Sequence, residues 1–374
     1  MLTLADVRWL LQAVHPAPGP LPPLDPDRHH AVVALAHHHR LTPLLASRTA
    51  LTGFSPELTA PLRQHAAHVA ARNLAFTREL LAILKAAGQT GIPLIPFKGP
   101  LLAVQAYGSL ALREFDDLDL LTGRTHLPAA AHTLETLGYK LVHTGRHAAS
   151  AIHLRTEYHF PFQHPVTGCC VELHAGVAPA GFAQPSWRLL RDHLCTANLG
   201  GAEVAVLNPS ALFLVLCVHA TKHLWGCLEF LTALAHLIHR NPPDWPEVER
   251  CARLSGTERF LATALSLLDE WTPAPLPDSL RRAPLSGPSL PGSWIDPPAS
   301  PAVLRRPAFH LRAHTPGPRR LKYLAGALLA PNWDDFRWLP LPRRLQFLYP
   351  LVRFARLVSV QIPSLLRFFT RKGP

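Results

Sequence analysis

The chain predicts an α+β fold, a small mixed β-sheet core flanked by N-terminal and C-terminal helical lobes. Three observations carry that prediction. The stretches Phe115–Leu121 and Cys170–His174 alternate apolar and polar residues with the period of two that belongs to strands. Leu74–Ala87 before them, and Asn208–Ala220 and Leu228–His239 after them, place apolar residues at helical spacing. A length of 374 residues leaves room for two or three lobes.

Taken in order, Leu4–Val14 and His29–Ala50 read as helices separated by the proline-rich Pro16–Pro26. The histidines His29, His30 and His37–His39 point to different sides of a helix, which favours a solvated face over a metal site. Leu74–Ala87 ends at Gly88 and Gly91. Ile92–Phe97 is a short strand entering the turn Lys98-Gly99-Pro100, and Leu101–Tyr107 is the helix after it. His126–Gly138 reads as a helix, Tyr139–His143 and His153–Phe162 as strands, with His164–Gly168 turning the chain into Cys170–His174. The expected units are a helical lobe (1–88), a core (89–206), a second helical lobe (207–272), a proline-rich linker or extended wrapping segment (273–320) and basic C-terminal helices (321–374).

The chemistry concentrates at Asp117-Leu118-Asp119. On a strand both carboxylates face one side, roughly 6.5–7 Å apart along the chain. A divalent cation such as Mg²⁺, which takes oxygen ligands, fits between them. A third carboxylate is then wanted from a neighbouring strand, and Glu172 offers it, with His174 on the same face. Asp116 faces away.

Bulk properties narrow the rest. Hydrophobic content is 48%, but the longest apolar run, Ala211–Ala220, is too short to span a bilayer. The start Met1–Asp6 lacks the pattern of a signal peptide, so a cytoplasmic location is expected. Cys169, Cys170, Cys195, Cys217, Cys227 and Cys251 include no C-x-x-C spacing and read as reduced thiols. A net charge of +12 calls for an acidic partner, for which nucleic acid, acidic lipid and nucleoside triphosphate all qualify. No aromatic–basic stacking module supports nucleic acid, and no firm membrane partner is read from the sequence.

Together, Lys98-Gly99, Tyr107, Arg113, Asp117-x-Asp119 and Glu172-x-His174 resemble the uncharacterised nucleotidyltransferase family, a branch of the polymerase-β-like superfamily, from about His38 to about Ile238. The resemblance implies nucleotidyl transfer from a nucleoside triphosphate, ATP first, with two Mg²⁺ ions held by Asp117, Asp119 and Glu172. It implies that Lys98 and the Gly99 turn meet phosphate, where the wider superfamily has a Gly-Gly or Gly-Ser turn. Arg113 either pairs with Asp116 or Asp117 or reaches a phosphate. In the family's H-x-x-K-H helix, Lys222 is the candidate to cross the cleft to the triphosphate, with His219 on the same face. His174 either bonds Glu172, contacts substrate or supports the core. Many members carry an aspartate where Ala233 stands here. The acceptor is open, with a small ribosomal peptide one expectation. The alternatives are an NTP-binding protein on an altered scaffold, or a kinase on the same scaffold.

Overall fold

The computed structural model describes residues 2–142, 155–272, 274–280, 292–295 and 302–370. Its centre is a five-stranded sheet in the order β1 (Ile95–Pro96), β2 (Leu118–Leu121), β5 (Cys170–His174), β4 (His159–Gln163), β3 (Lys140–Leu141). The β2–β5 pair is parallel and the other three pairs are antiparallel, so the sheet is mixed. A parallel pair needs a crossover, and the helix Leu127–Thr136 lies within this one. A separate hairpin follows, β6 (Leu194–Leu199) with β7 (Ala202–Leu207).

Alternation divides the two faces of the sheet as the sequence suggests. Leu118 and Leu120 of β2, with Val171 and Leu173 of β5, are fully buried against Leu80 and Ile83 of one helix and Leu127, Ala130 and Leu134 of another. That packing assigns the opposite face to Asp119, Glu172 and His174, because a one-residue slip would invert both sets. A larger apolar core joins the N-terminal helices to Pro209–Lys222, Leu228–Arg240 and Glu258–Trp271.

Several boundaries move. The first long helical segment breaks after Pro26–His38, where Arg40 takes a left-handed conformation at φ 58°. The helix expected from Leu74 begins at Pro56 and runs to Gln89, and proline at its first position suits the start. Its first half buries only Leu62 and Val69, too sparse a stripe to show as periodicity. The helix after the Lys98-Gly99 turn is α-helical only over Gly99–Leu102 and widens to a π-helix over Ala103–Tyr107. The predicted strand from His153 begins outside the described residues, as does the end of the one predicted to His143.

The stretch 273–320, expected as a linker or an extended wrapping segment, packs onto the larger core through Ala274, Leu276, Leu280, Trp294 and Phe309. Trp294 is fully buried and donates its indole N–H to the Trp225 carbonyl at 2.6 Å. Ala302–Ala313 is a helix, and Phe309, His310 and His314 pack inward. Frequent prolines conceal these anchors in the sequence. The next helix, Pro318–Leu329, comes so close to the loop at Ala180 that a Cβ on Gly326 would stand 2.3 Å from the Ala180 carbonyl oxygen. Only glycine fits that crossing. No helix among the described residues is long and apolar enough to cross a membrane.

One buried histidine ties these layers together. His39 accepts from the Leu228 amide at Nδ1 (3.3 Å), which leaves the proton on Nε2 facing the Trp294 carbonyl at 2.9 Å. Burial, partly opposed by the Trp294 carbonyl, pulls its pKa from 6.5 down to about 4. The folded-state pKa is the lower one, so this stabilisation is complete above pH 6.5 and is lost as pH falls toward 4. The amount is about 3 kcal/mol at most. Urea midpoints of the wild type should therefore drop more steeply between pH 7 and 4.5 than those of His39→Gln, which starts less stable. Parallel curves would contradict this account of His39.

Candidate active site

The geometry begins with register. In the parallel β2–β5 ladder Asp119 lies directly opposite Glu172, and in the antiparallel β5–β4 ladder His174 lies opposite His159. Paired residues share a face, so one surface carries Asp119, Glu172, His174 and His159 in succession. Strand β1 delivers the turn at Lys98 to its edge. Gly99 sits at φ +55°, and a Cβ there would approach the Asp117 carbonyl oxygen to 3.3 Å, so the turn closes onto the acidic strand only with glycine.

These side chains meet. Lys98 Nζ lies 2.7 Å from Asp119 Oδ1, and His174 Nε2 lies 3.0 Å from the same oxygen and 3.2 Å from Glu172 Oε2. His174 Nδ1 is 3.3 Å from the Gly176 carbonyl, so both ring nitrogens face oxygen. Burial disfavours charge on that imidazole, but the two carboxylates outweigh it and the His174 pKa is raised. Burial likewise pushes Asp119 up, yet Lys98 and His174 hold it well below the usual carboxylate range. Glu172 is shifted down in the same way, with the His174 bond overcoming burial. Asp117 stands just before β2, where burial and the neighbouring Asp119 charge raise its pKa to about 6. The mixed donor set Asp119–Glu172–His174 has ligand atoms within 4.8 Å of one another, a spacing one metal ion can span.

The helical lobe adds Lys222. Its Nζ donates to the Tyr158 hydroxyl at 3.4 Å and stands 5.0 Å from that ring's centre. Burial and the charge of Lys98 bring its pKa to about 8, against the pull of Asp119, Glu172 and Asp117. His219 is close by, but burial, with Lys98 and Lys222, keeps its ring neutral. It packs on His223 and Phe230.

Arg113 requires a correction. It pairs with neither Asp116 nor Asp117. Its Nε donates to Glu229 Oε1 at 2.7 Å, Tyr107 OH donates to the same oxygen at 3.3 Å, and Arg113 Nη1 reaches the Gly99 carbonyl at 3.5 Å. Asp116 is held instead by Arg40 at 2.8 Å and Arg72 at 2.9 Å. The arginine thus braces the turn from behind. Glu229 goes unnoticed in the sequence, where the one trace is an acid set among the apolar residues Leu228, Phe230 and Leu231. Tyr158 and His159 are also missed; Phe160 and Phe162 mark the buried face of β4 and so imply that His159 lies on its other side, while Tyr158 stands just before the strand.

A second group, His193, Glu247 and Cys251, also has metal-ligand spacing. There Arg250 donates to both Glu247 oxygens at 2.7 Å and approaches His193 Nε2 at 3.2 Å.

A glycine turn that closes onto paired carboxylates on a small mixed sheet is an arrangement suited to nucleotidyl transfer. The profile of the family described as "Uncharacterised nucleotidyltransferase" matches residues 25–273, and the chain belongs to that family. No curated protein matches. Among solved structures, that of ANT(2")-Ia in complex with adenylyl-2"-tobramycin is similar at 14% identity and a TM-score of 0.28, covering 52% of this chain and 98% of its own.

The Arg113–Glu229 pair is buried on both sides, so breaking it and deleting it should differ. Glu229→Leu alone strands a buried guanidinium and should cost about 3–5 kcal/mol. The double variant Arg113→Leu/Glu229→Leu should recover much of that loss in urea unfolding. A double variant no more stable than Glu229→Leu would show that the pair is not the reason for the burial.

Proposed function

We propose that this nucleotidyltransferase moves a nucleoside monophosphate from a nucleoside triphosphate, ATP in the first instance, to a nucleophile on a small acceptor. The observation that carries the reading is the side-by-side placement of Asp119 and Glu172 across the parallel pair, with Lys98 at its edge. Attack on the α-phosphorus forms the acceptor–phosphorus bond and breaks the α–β bridge. Pyrophosphate departs, and the acceptor's proton passes to Glu172, which faces the cleft and is partly exposed.

Asp117, Asp119 and Glu172 would hold Mg²⁺. Carboxylates suit a hard cation, and the positive charge that Asp119 and Glu172 demand is supplied here by Lys98 and His174. When bound there, the ions supply neutralisation of the triphosphate and a lower pKa for the acceptor. His174 orients Asp119 and Glu172 through its Nε2. Lys98 and the Gly99 turn receive the phosphates from one side, and Lys222 from the helical lobe on the other, favouring departure of pyrophosphate.

A cavity of about 450 Å³ opens on the β4 side, lined by Tyr158, His159, Lys222, Tyr323, Trp333 and Arg353 among others. It lies across β5 from the Lys98 turn, where an acceptor should stand if phosphates occupy the turn. Its size suits a small molecule or a single peptide side chain. A ribosomal peptide therefore stays among the acceptors proposed, on the strength of the family resemblance.

One observation favours a second reading. Lys98 replaces the small residue of the Gly-Ser turn and is already paired with Asp119, as it would be in an altered NTP-binding scaffold or a kinase. Mass spectrometry of the modified acceptor separates transfer of AMP, about +329 Da, from transfer of phosphate, about +80 Da.

Incubation with α-labelled NTPs and cell extract tests the main reading. Asp119→Asn and Glu172→Gln should lower incorporation at least about a hundredfold. Lys222→Met should chiefly raise the KM for the nucleotide, since it meets the triphosphate at a distance from the reacting atoms. Undiminished labelling by both carboxylate variants would refute the proposal.

A further inference from the structure

The C-terminal region carries most of the chain's net charge and, among the described residues, most of the exposed large apolar side chains. From Arg319 onward there are eleven Lys and Arg residues against Asp334 and Asp335, a net +9 of the chain's +12. Of the seventeen large apolar side chains exposed among the described residues, eleven fall between Leu321 and Val358. Elsewhere such residues are scattered singly, which is ordinary for a protein surface.

The exposed residues are ordered. Leu321, Leu324 and Leu328 recur at i, i+3 and i+7 on Pro318–Leu329, and Leu351, Phe354 and Val358 do so on Tyr349–Thr370. Each set forms a stripe on one helix face. The opposite faces are already satisfied. Tyr323 is buried, and Arg353 and Arg356 turn inward to Asp335 at 3.1 and 2.6 Å. Between the helices, Phe347 stands 72% exposed next to the exposed Arg343 and Arg344. Leu321 and Leu351 are 69% and 65% exposed.

We propose that these stripes, with the arginines around Phe347, dock this chain onto an anionic lipid surface. Leucine and phenylalanine would enter the interface between headgroups and acyl chains while Arg337, Arg343 and Arg344 meet lipid phosphates. Partly inserted apolar side chains beside clustered cations are the two attractions that hold amphipathic helices at a membrane surface. A soluble acidic protein would satisfy the arginines and leave the leucines in water. A second copy of the chain would cover the leucines and bring like charges together.

Flotation of the full-length protein with vesicles tests this, using phosphatidylcholine alone and phosphatidylcholine with phosphatidylglycerol. The wild type should float with the anionic vesicles at low salt and lose most binding at high salt. Leu351→Glu/Phe354→Glu should weaken binding at least about tenfold, and Arg343→Glu/Arg344→Glu should remove the preference for anionic lipid. All four positions are exposed, so the variants should keep the wild-type circular dichroism and melting temperature. Three outcomes overturn the proposal: no flotation with either vesicle, equal flotation of wild type and Leu351→Glu/Phe354→Glu, or dimerisation in solution that the same variant abolishes without any vesicle binding. None of these readouts depends on nucleotide transfer.

Discussion

Two carboxylates held side by side in a buried parallel strand pair are the constraint to which the surrounding structure answers. Adjacent strands stand about 4.8 Å apart, and two negative charges at that spacing repel by roughly 3 kcal/mol at an effective dielectric constant near 20. Burial adds to the difficulty. Lys98 and His174 relieve both effects from opposite sides, each within 3.0 Å of Asp119. The glycine turn exists to bring Lys98 there, and the Arg113 guanidinium touches the Gly99 carbonyl from behind. Glu229 then fixes Arg113 from the second helical lobe. The position of one lysine thus depends on a chain of contacts reaching across the cleft between lobes.

That chain explains which parts of the site are visible in the sequence. Asp119, Glu172 and His174 sit on alternating strands, so their common face follows from period alone, and Lys98-Gly99 follows from its place in the turn before. Arg113 is equally conspicuous, but its partner is 116 residues away on a helix. Periodicity within a segment says which residues share a face and nothing of what that face meets. Asp116, closest in sequence, is drawn off by Arg40, in the turn after Pro26–His38, and by Arg72 on Pro56–Gln89. His159 shows the same limit, since only the register of β4 against β5 brings it to His174.

The fold shows a parallel division. The apolar alternation of β2 and β5 and the helices Pro209–Lys222 and Leu228–Arg240 are legible because their buried residues are dense. The first half of Pro56–Gln89 is not, because Leu62 and Val69 alone are buried there, and the helix Ala302–Ala313 is hidden by its proline-rich surroundings. Prolines mislead for a physical reason. They are tolerated in the first turn of a helix, as at Pro56 and Pro318, so a proline-rich composition does not by itself mean extended chain.

Net charge is the property most altered by its location. A value of +12 spread over the surface would argue for an acidic partner anywhere on the molecule. With +9 of it after residue 318, the remainder of the chain is close to neutral, so on the proposed reading its cleft attracts phosphate through placed residues. Lys98 and Lys222 are such residues: Lys98 is buried, Lys222 half-buried, and burial together with the charge of Lys98 brings the Lys222 pKa to about 8. A bound triphosphate would relieve that repulsion, so the two lysines favour an anion between them. The far wall of the neighbouring cavity, including Tyr323, Trp333 and Arg353, lies beyond residue 273, where the family match ends. On the proposed reading, phosphate chemistry resides in the shared part of the family and recognition of the acceptor in the part outside it, which is where a change of substrate would leave the carboxylates untouched.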